Sequence, residues 1–216
     1  IKMGNIIIIG AGGFGREVKC LIDEINNFNN KNYYNILGFV DDGLECNTKI
    51  HGLNVLGNLD YILSLKEKPS LVFGIGNPIT KEKIFKKFEE FDFPIIKHPS
   101  ISLEGKNIDI GKGSIICQGS ILTCDIVISE FVTINLSCTI GHDTKVGNFS
   151  SLMPAVNLSG EVEIEKSVFI GTGVKIINQI TIGAKTIIGA GAVVSKSLPS
   201  NCTALGIPAK PIKYHI

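Results

Sequence analysis

The sequence predicts two architectures in series, a small α/β domain on a parallel sheet followed by a parallel β-helix of about five coils. Two observations carry this reading. From Ile6 to about Pro99, short apolar runs alternate with amphipathic stretches, the pattern of strands and helices in a sheet covered on its faces. From Ile110 onward an aliphatic residue returns every sixth position, through Ile116, Leu122 and Ile128 as far as Val194, and all fifteen such positions are Ile, Leu or Val.

Composition narrows the class of protein. A chain of 216 residues can bury one large core or two modest ones without disulfide staples. With 21 basic and 20 acidic residues its formal charge is +1, which gives no electrostatic reason to expect a nucleic-acid partner or an anionic membrane. The 24 glycines follow no collagen period and so point to tight turns. Cys20, Cys46, Cys117, Cys124, Cys138 and Cys202 form no C-x-x-C pair. They read as reduced thiols, several of them small buried hydrophobes. The opening IKMGNIIIIGAGG holds an apolar run of four isoleucines, too short to span a bilayer and without a signal-peptide layout. The expectation is a soluble cytoplasmic protein with no membrane insertion.

In the first region NIIIIG reads as a buried strand, and FGREVKCLIDEINNF as a helix with Val18, Leu21, Ile22 and Ile25 on one face. ILGFVDD is a second strand ending in acids, HGLNVLGNLDYI is turn-rich, and SLVFGIGN is a third strand. TKEKIFKKFEEF follows as a helix with Ile84, Phe85 and Phe88 inward, and FPIIKHP as a short last strand. The domain is placed at residues 1–99, a connection at 100–109, the solenoid at 110–199 and a tail at 200–216.

A period of six suits neither a helix of 3.6 residues per turn nor a hairpin sheet. It suits a three-sided coil of eighteen residues, with one aliphatic side chain per face stacking on its copies above and below. A second position, four residues after each aliphatic, is always small or apolar, from Ser114 to Leu198.

Gly10, Gly12 and Gly15 form G-x-G-x-x-G between the first strand and its helix. Such glycines let the backbone turn and approach a ligand, and the amides at the helix start face an anion. Fewer than 100 residues precede the solenoid, so a dinucleotide site would be cramped in this small Rossmann-like domain. A nucleotide-sugar, a redox dinucleotide and a purely structural turn stay open. Asp41 and Asp42 end the second strand and Gly76 lies at the end of the third, where ligands of such sheets bind; a solvated turn is the other reading of the two acids. His142 is third in its hexad, a slot held elsewhere by Lys112, Gln118, Glu130 and Asn148, so it points outward at a coil corner. Spacing alone leaves it either a base or a surface histidine. A neutral imidazole suits removal of a proton from an attacking amine or hydroxyl. Cys138 occupies an inward slot, and Cys117 and Cys124 have no neighbouring basic residue to make a thiolate nucleophile.

IGKGSI, IGHDTK, VGNFSS, IGTGVK, IGAKTI and IGAGAV resemble the hexapeptide repeat of left-handed β-helix acyltransferases, and LGIPAKPIK resembles their C-terminal G-x-P-A-K signature. GAGGFGREV, FVDD and GIGN resemble one branch of that family, the sialic acid O-acetyltransferase type and the nucleotide-aminosugar N-acetyltransferases. The resemblance implies a left-handed parallel β-helix, a homotrimer with acetyl-CoA in the groove between neighbouring solenoids, and no metal. It implies His142 as general base oriented by Asp143, and Gly160 near the acetyl end of the cofactor. Ser151 falls where many relatives place a second histidine toward the cofactor, and Thr172 and Ala190 fall on the pantetheine edge; Lys185, Lys196 and Lys210 are open between contacts to the CoA phosphates and solubilising surface lysines. Gly12, Gly13, Phe14, Asp41, Asp42 and Gly76 match the nucleotide-sugar site, with Phe14 replacing a common histidine. The implied reaction is acetylation of the amino group of a nucleotide-linked 4-amino-4,6-dideoxysugar. Sialic acid O-acetylation and a non-catalytic β-helical scaffold are the alternatives.

Overall fold

The computed structural model describes residues 4–28 and 33–215. Strand β1 (Gly4–Ile9) lies at the centre of the first sheet, with Ile6, Ile7, Ile8 and Ile9 at most 1% exposed, the near-continuous apolar run of a parallel strand covered on both faces. Helix α1 (Gly13–Phe28) turns Val18, Leu21 and Ile22 onto that sheet. Strand β2 (Tyr34–Val40) runs parallel to β1.

The turn-rich segment holds more structure than its composition suggests. His51 and Gly52, both at positive φ, turn β3 (Lys49–Ile50) into β4 (Leu53–Gly57). Strand β4 then runs parallel to β2 with Val55 fully buried, and α2 (Leu59–Ser64) follows. Strand β5 (Ser70–Phe73) completes the sheet in the order β3-β4-β2-β1-β5.

Two expectations need correction here. Helix α3 (Pro78–Phe85) ends well before Phe91, and the chain continues in hydrogen-bonded turns that return Phe88 to the core. Ile84 and Phe85 are only half-buried, whereas Lys81 is buried on this helix. FPIIKHP does not close the first sheet either. Its strand β6 (Ile96–Lys97) pairs parallel with β8 (Ile115–Ile116) and so begins a face of the solenoid.

Fifteen short strands, from β7 (Ile108–Ile110) to β21 (Val193–Val194), give the left-handed solenoid three faces of five parallel strands each. The first face starts at β7, the second at β8 and the third at β9 (Ile121–Leu122). Each residue pairs with its equivalent eighteen positions later, as Thr139 does with Asn157 and Ile140 with Leu158. The repeated aliphatics fill the interior. At every sixth residue from Asn107 to Gly191 the backbone turns a corner at φ between 52° and 76°, and only Gly113, Gly119, Gly173 and Gly191 of these fifteen are glycine. The segment expected as a tail is a hairpin: β22 (Cys202–Gly206) joins the second face beside β20 (Ile187–Ile188), and β23 (Ala209–Tyr214) folds back on it.

The N-terminal domain lies on the second face. Phe73, Phe85 and Phe93 meet Phe131 at a coil corner, and Phe131 stacks on Phe149 one coil later with centroids 5.0 Å apart. Glu24 meets His98 at 3.1 Å, and Ser167 donates to Glu82. Lys81 Nζ donates to the Phe131 carbonyl at 2.8 Å and to Thr133 Oγ1 at 3.0 Å. Burial pushes this amine from 10.5 down to about 7. The unfolded chain therefore binds more protons than the folded one between those values, and stability rises with pH across that window. Chemical denaturation between pH 7 and pH 9 is expected to show wild type gaining stability relative to Lys81→Met; parallel trends in the two proteins would contradict it.

Candidate active site

Strand β12 (Thr139–Ile140) ends the third face, and Gly141 to Thr144 turn the corner into β13 (Lys145–Val146) of the first. His142 stands on this corner with its side chain 57% exposed. Asp143 is the corner residue at φ 57°, and that left-handed turn brings its carboxylate back beside the ring, Oδ2 lying 2.8 Å from His142 Nδ1. A carboxylate only accepts, so the neutral ring carries its proton on Nδ1 and leaves the Nε2 lone pair free. The catalytic pair expected from the motif is thus in contact.

Gly160 occupies the equivalent position one coil later. A Cβ there would run into His142 Nε2 and lie 2.5 Å from Cε1, so the ring rests where a side chain would otherwise be. The backbone is pinned on both sides: Asp143 N–H donates to the Cys124 carbonyl and Glu161 N–H to the His142 carbonyl. Cys138 is buried, with its thiol pushed up to about 11 mainly by desolvation, and Cys117 is pushed up to about 12 for the same reason. Neither is a thiolate nucleophile. Cys124, in the coil preceding His142, is also shifted upward.

The remaining cofactor candidates are spread over the prism. Thr172 and Ala190 are exposed on the corner between the second and third faces, Lys185 on the corner between the first and second, Lys196 on the His142 corner nearer the C-terminal end, and Lys210 on β23. Ser151 is not brought to His142. It faces outward from β14 (Ser151–Leu152) on the second face but is fully buried, its hydroxyl enclosed without a hydrogen-bond partner. Because the N-terminal domain packs on that face, the hydroxyl is not presented to a ligand in a solvent-facing groove.

In the N-terminal domain Gly12, Asp41, Asp42 and Gly76 line one crevice of about 480 Å³, together with Asn77 and Thr80. Asp41 accepts from Ala11 N at 2.8 Å and Gly43 N at 2.9 Å, which ties the end of β2 to the glycine loop. Asp42 accepts from Leu59 N at the start of α2. Asn77 caps α3 by accepting from Thr80 N at 3.0 Å; the sequence signal was Asn-Pro at a helix start. The three motif glycines separate into two roles. Gly10 and Gly15 approach each other and Gly74 too closely for any Cβ, whereas a Cβ at Gly12 would meet nothing within 4 Å and one at Gly13 only Arg16, at 3.9 Å. Of the six substrate candidates two lie outside this crevice, Gly13 and Phe14. The half-buried Phe14 ring packs against the core cluster around Ile6, Ile22 and Cys117 and is not part of the crevice wall. Gly13 borders a second cavity, of about 380 Å³, with Arg16, Glu17, Gln118 and Leu136.

Among the described residues no cluster of three His, Cys, Asp or Glu side chains could hold a metal ion, and no helix is long and apolar enough to cross a membrane. An imidazole with a fixed tautomer on the corner of a hexapeptide solenoid, in a chain with a glycine-lined crevice, is the arrangement an acyl-transferring enzyme would use. Comparison with known proteins places it more closely. Residues 5–88 match the PglD N-terminal domain family and residues 161–196 the bacterial transferase hexapeptide family. The chain is 32% identical to GDP-perosamine N-acetyltransferase of Escherichia coli O157:H7 across 95% of each protein. Its fold is similar to the acetyltransferase domain of PglB from Neisseria gonorrhoeae FA1090, with TM-score 0.87, 29% identity and coverage of 96% and 99% of the two chains. It is equally similar to PerB from Caulobacter crescentus, solved with CoA and GDP-perosamine, with TM-score 0.87, 28% identity and coverage of 98% and 99%. The chain belongs to the left-handed β-helix family of acetyl-CoA-dependent nucleotide-aminosugar N-acetyltransferases.

His142→Ala is expected to lower the transfer rate by roughly 10²–10⁴-fold while leaving the solenoid folded, because the ring is exposed. Asp143→Asn should cost less, since the ring stays and loses only its orienting charge. Gly160→Ala should reproduce most of the His142→Ala loss by displacing the ring. Steady-state kinetics with circular dichroism of all three variants checks this, and a fully active Gly160→Ala enzyme would refute the ring's resting place.

Proposed function

We propose that the chain transfers the acetyl group of acetyl-CoA to the amino group of a nucleotide-linked 4-amino-4,6-dideoxysugar, with His142 as general base. The observation that carries this reading is the Asp143-oriented imidazole with Nε2 free beside Gly160. The neutral amine attacks the thioester carbonyl, its proton passes to Nε2, and the imidazolium so formed is stabilised by the Asp143 carboxylate. Collapse of the tetrahedral intermediate expels the sulfur of CoA, which takes up a proton. Backbone N–H groups at Gly160 and along the adjoining coil edge are the donors assigned to the developing oxyanion. No acyl-enzyme is required, in keeping with buried, upward-shifted Cys117 and Cys138.

Gly12 and Gly13 support the nucleotide assignment, because no packing inside the chain requires either to lack a side chain. Their amides lie at the start of α1, where a diphosphate is favoured. The related enzyme of E. coli O157:H7 is named for GDP-perosamine, which makes GDP-linked aminosugars the first substrates to test.

The separation of the parts supports a homotrimer. The crevice abuts the second face, and Gly76 approaches Met153 at the corner between the second and third faces. His142 stands on the corner between the third and first. Thr172 and Ala190 run along the corner that His142 does not share. A cofactor touching both edges bridges two copies, and a closed threefold arrangement supplies three equivalent bridges. Catalysis in the cytoplasm accords with free cysteines and a diffusible thioester donor.

The screen that tests the reaction offers UDP-, dTDP- and GDP-linked 4-amino-4,6-dideoxysugars and free sialic acid to the purified protein with acetyl-CoA, reading free CoA. Release only with sialic acid would overturn N-acetylation of a nucleotide sugar. Light scattering is expected to give three chains per particle, and a monomer at full activity would remove the shared groove. In calorimetry, Gly12→Ala and Gly13→Ala should weaken the nucleotide sugar by about tenfold or more and leave CoA affinity unchanged; equal loss for both ligands would remove the loop from the site.

A further inference from the structure

Lys81 is the buried charge-bearing group that the catalytic scheme does not use. It is 1% exposed, and no carboxylate pairs with it among the described residues. Its position in the chain is specific. Lys81 N–H donates to the carbonyl of Asn77, and Asn77 and Thr80, one turn and one residue before it, form a wall of the nucleotide crevice. Its side chain crosses to the solenoid and donates to the Phe131 carbonyl and to Thr133 Oγ1. Thr133 begins β11 (Thr133–Ile134). From there the chain turns one corner, through Asn135 to Cys138, enters β12 and reaches His142. The crevice wall and the catalytic base are therefore joined through one ammonium or amine and a single stretch of coil.

Resting on the acetyl-transfer reading above, we propose that Lys81 is a positioning residue that sets the place of the acceptor crevice relative to the coil carrying the base. The Phe85, Phe93, Phe131 and Phe149 rings already hold the two bodies together, but ring contacts tolerate sliding. Two hydrogen bonds from one nitrogen, of 2.8 and 3.0 Å, do not. Burying a lysine for adhesion alone is a poor use of the site, since an apolar side chain of similar volume serves adhesion as well or better. In a symmetric assembly the argument is unchanged: whichever copy supplies His142, its distance from the crevice depends on how each N-terminal domain sits on its own solenoid.

The test combines Lys81→Met, Thr133→Val and the double variant, with two readouts. Under saturating acetyl-CoA, Lys81→Met is expected to lower kcat by about tenfold, on the scale by which small misplacements slow a reaction. The KM for acetyl-CoA and the affinity for the nucleoside diphosphate alone should change by less than about twofold, because each ligand's own contacts stay intact. Thr133→Val should lose about threefold, and the double variant no more than Lys81→Met, the non-additivity of two ends of one link. Amide hydrogen exchange without ligands is the second readout. Exchange across α3 should quicken in Lys81→Met while β12 and β14 keep wild-type protection. Wild-type kcat in Lys81→Met, additive losses in the double variant, or a parallel fall in kcat and both affinities would each overturn the positioning role, as would unchanged exchange in α3. Failure of wild type to acetylate any nucleotide aminosugar would instead sink the acetyl-transfer reading, which the exchange data do not touch.

Discussion

The interior of the solenoid has no closed core of its own at any one level. The aliphatic residue on each face of a coil is covered above and below only by its equivalents eighteen positions away, so the pairing register of neighbouring coils is fixed throughout. A slip by one residue would turn the stacked Ile, Leu and Val outward. That register places the functional column as well. Cys124, His142 and Gly160 share one corner because they are eighteen residues apart, and the missing side chain of the third makes room for the ring of the second. The imidazole owes its orientation to the same geometry, since the left-handed corner at Asp143 returns the carboxylate to Nδ1.

The N-terminal domain uses the second face as its floor. Thr133 and Ser151 point outward from the solenoid but are buried beneath it, and two aromatic residues, Phe131 and Phe149, occupy left-handed corner positions where they complete the domain's hydrophobic cluster. Such a backbone costs a non-glycine residue about 1–2 kcal/mol relative to its ordinary conformation. The stacked rings and the coil ladder offset it. The domain reaches the corner between the second and third faces at Gln118, Leu136 and Met153, and Thr172 and Ala190 lie further along that corner, whereas His142 stands on the corner at the far side of the third face.

The solenoid was legible in the sequence because its period is enforced at every coil: fifteen aliphatics in register admit one architecture, and the fifteen strands that carry them divide five to a face. The corners were not legible as left-handed turns, since eleven of fifteen are ordinary L residues, among them Phe131 and Glu161; ladder hydrogen bonds on both sides override their preferences. His142 and Asp143 were readable as a pair, but their contact depends on a backbone angle. Contacts between the domains were opaque. Lys81 lies in a run, TKEKIFKKFEEF, that looks like a solvated helix face, and only the solenoid placed against it makes it interior. The burial of Ser151 and the core packing of Phe14 were opaque for the same reason: motif position carries a residue's alignment, whereas the neighbouring element decides what packs on it. FPIIKHP had the composition of a strand without any sign of which sheet it would join.

The corner spacing also limits how such a chain changes length. An insertion of one to five residues within a strand would rotate all later side chains off their face, and only a whole coil of eighteen, or a loop extruded at a corner, leaves the stack continuous. Gain of a coil on the C-terminal side of Gly160 would lengthen the prism by about 4.8 Å, the spacing between paired strands, and would carry the β22–β23 hairpin away from His142 by that step. The distance along the prism between the His142 corner and the hairpin is thus quantised in units of one strand spacing, so a ligand spanning the two would be accommodated in jumps of length rather than by gradual drift.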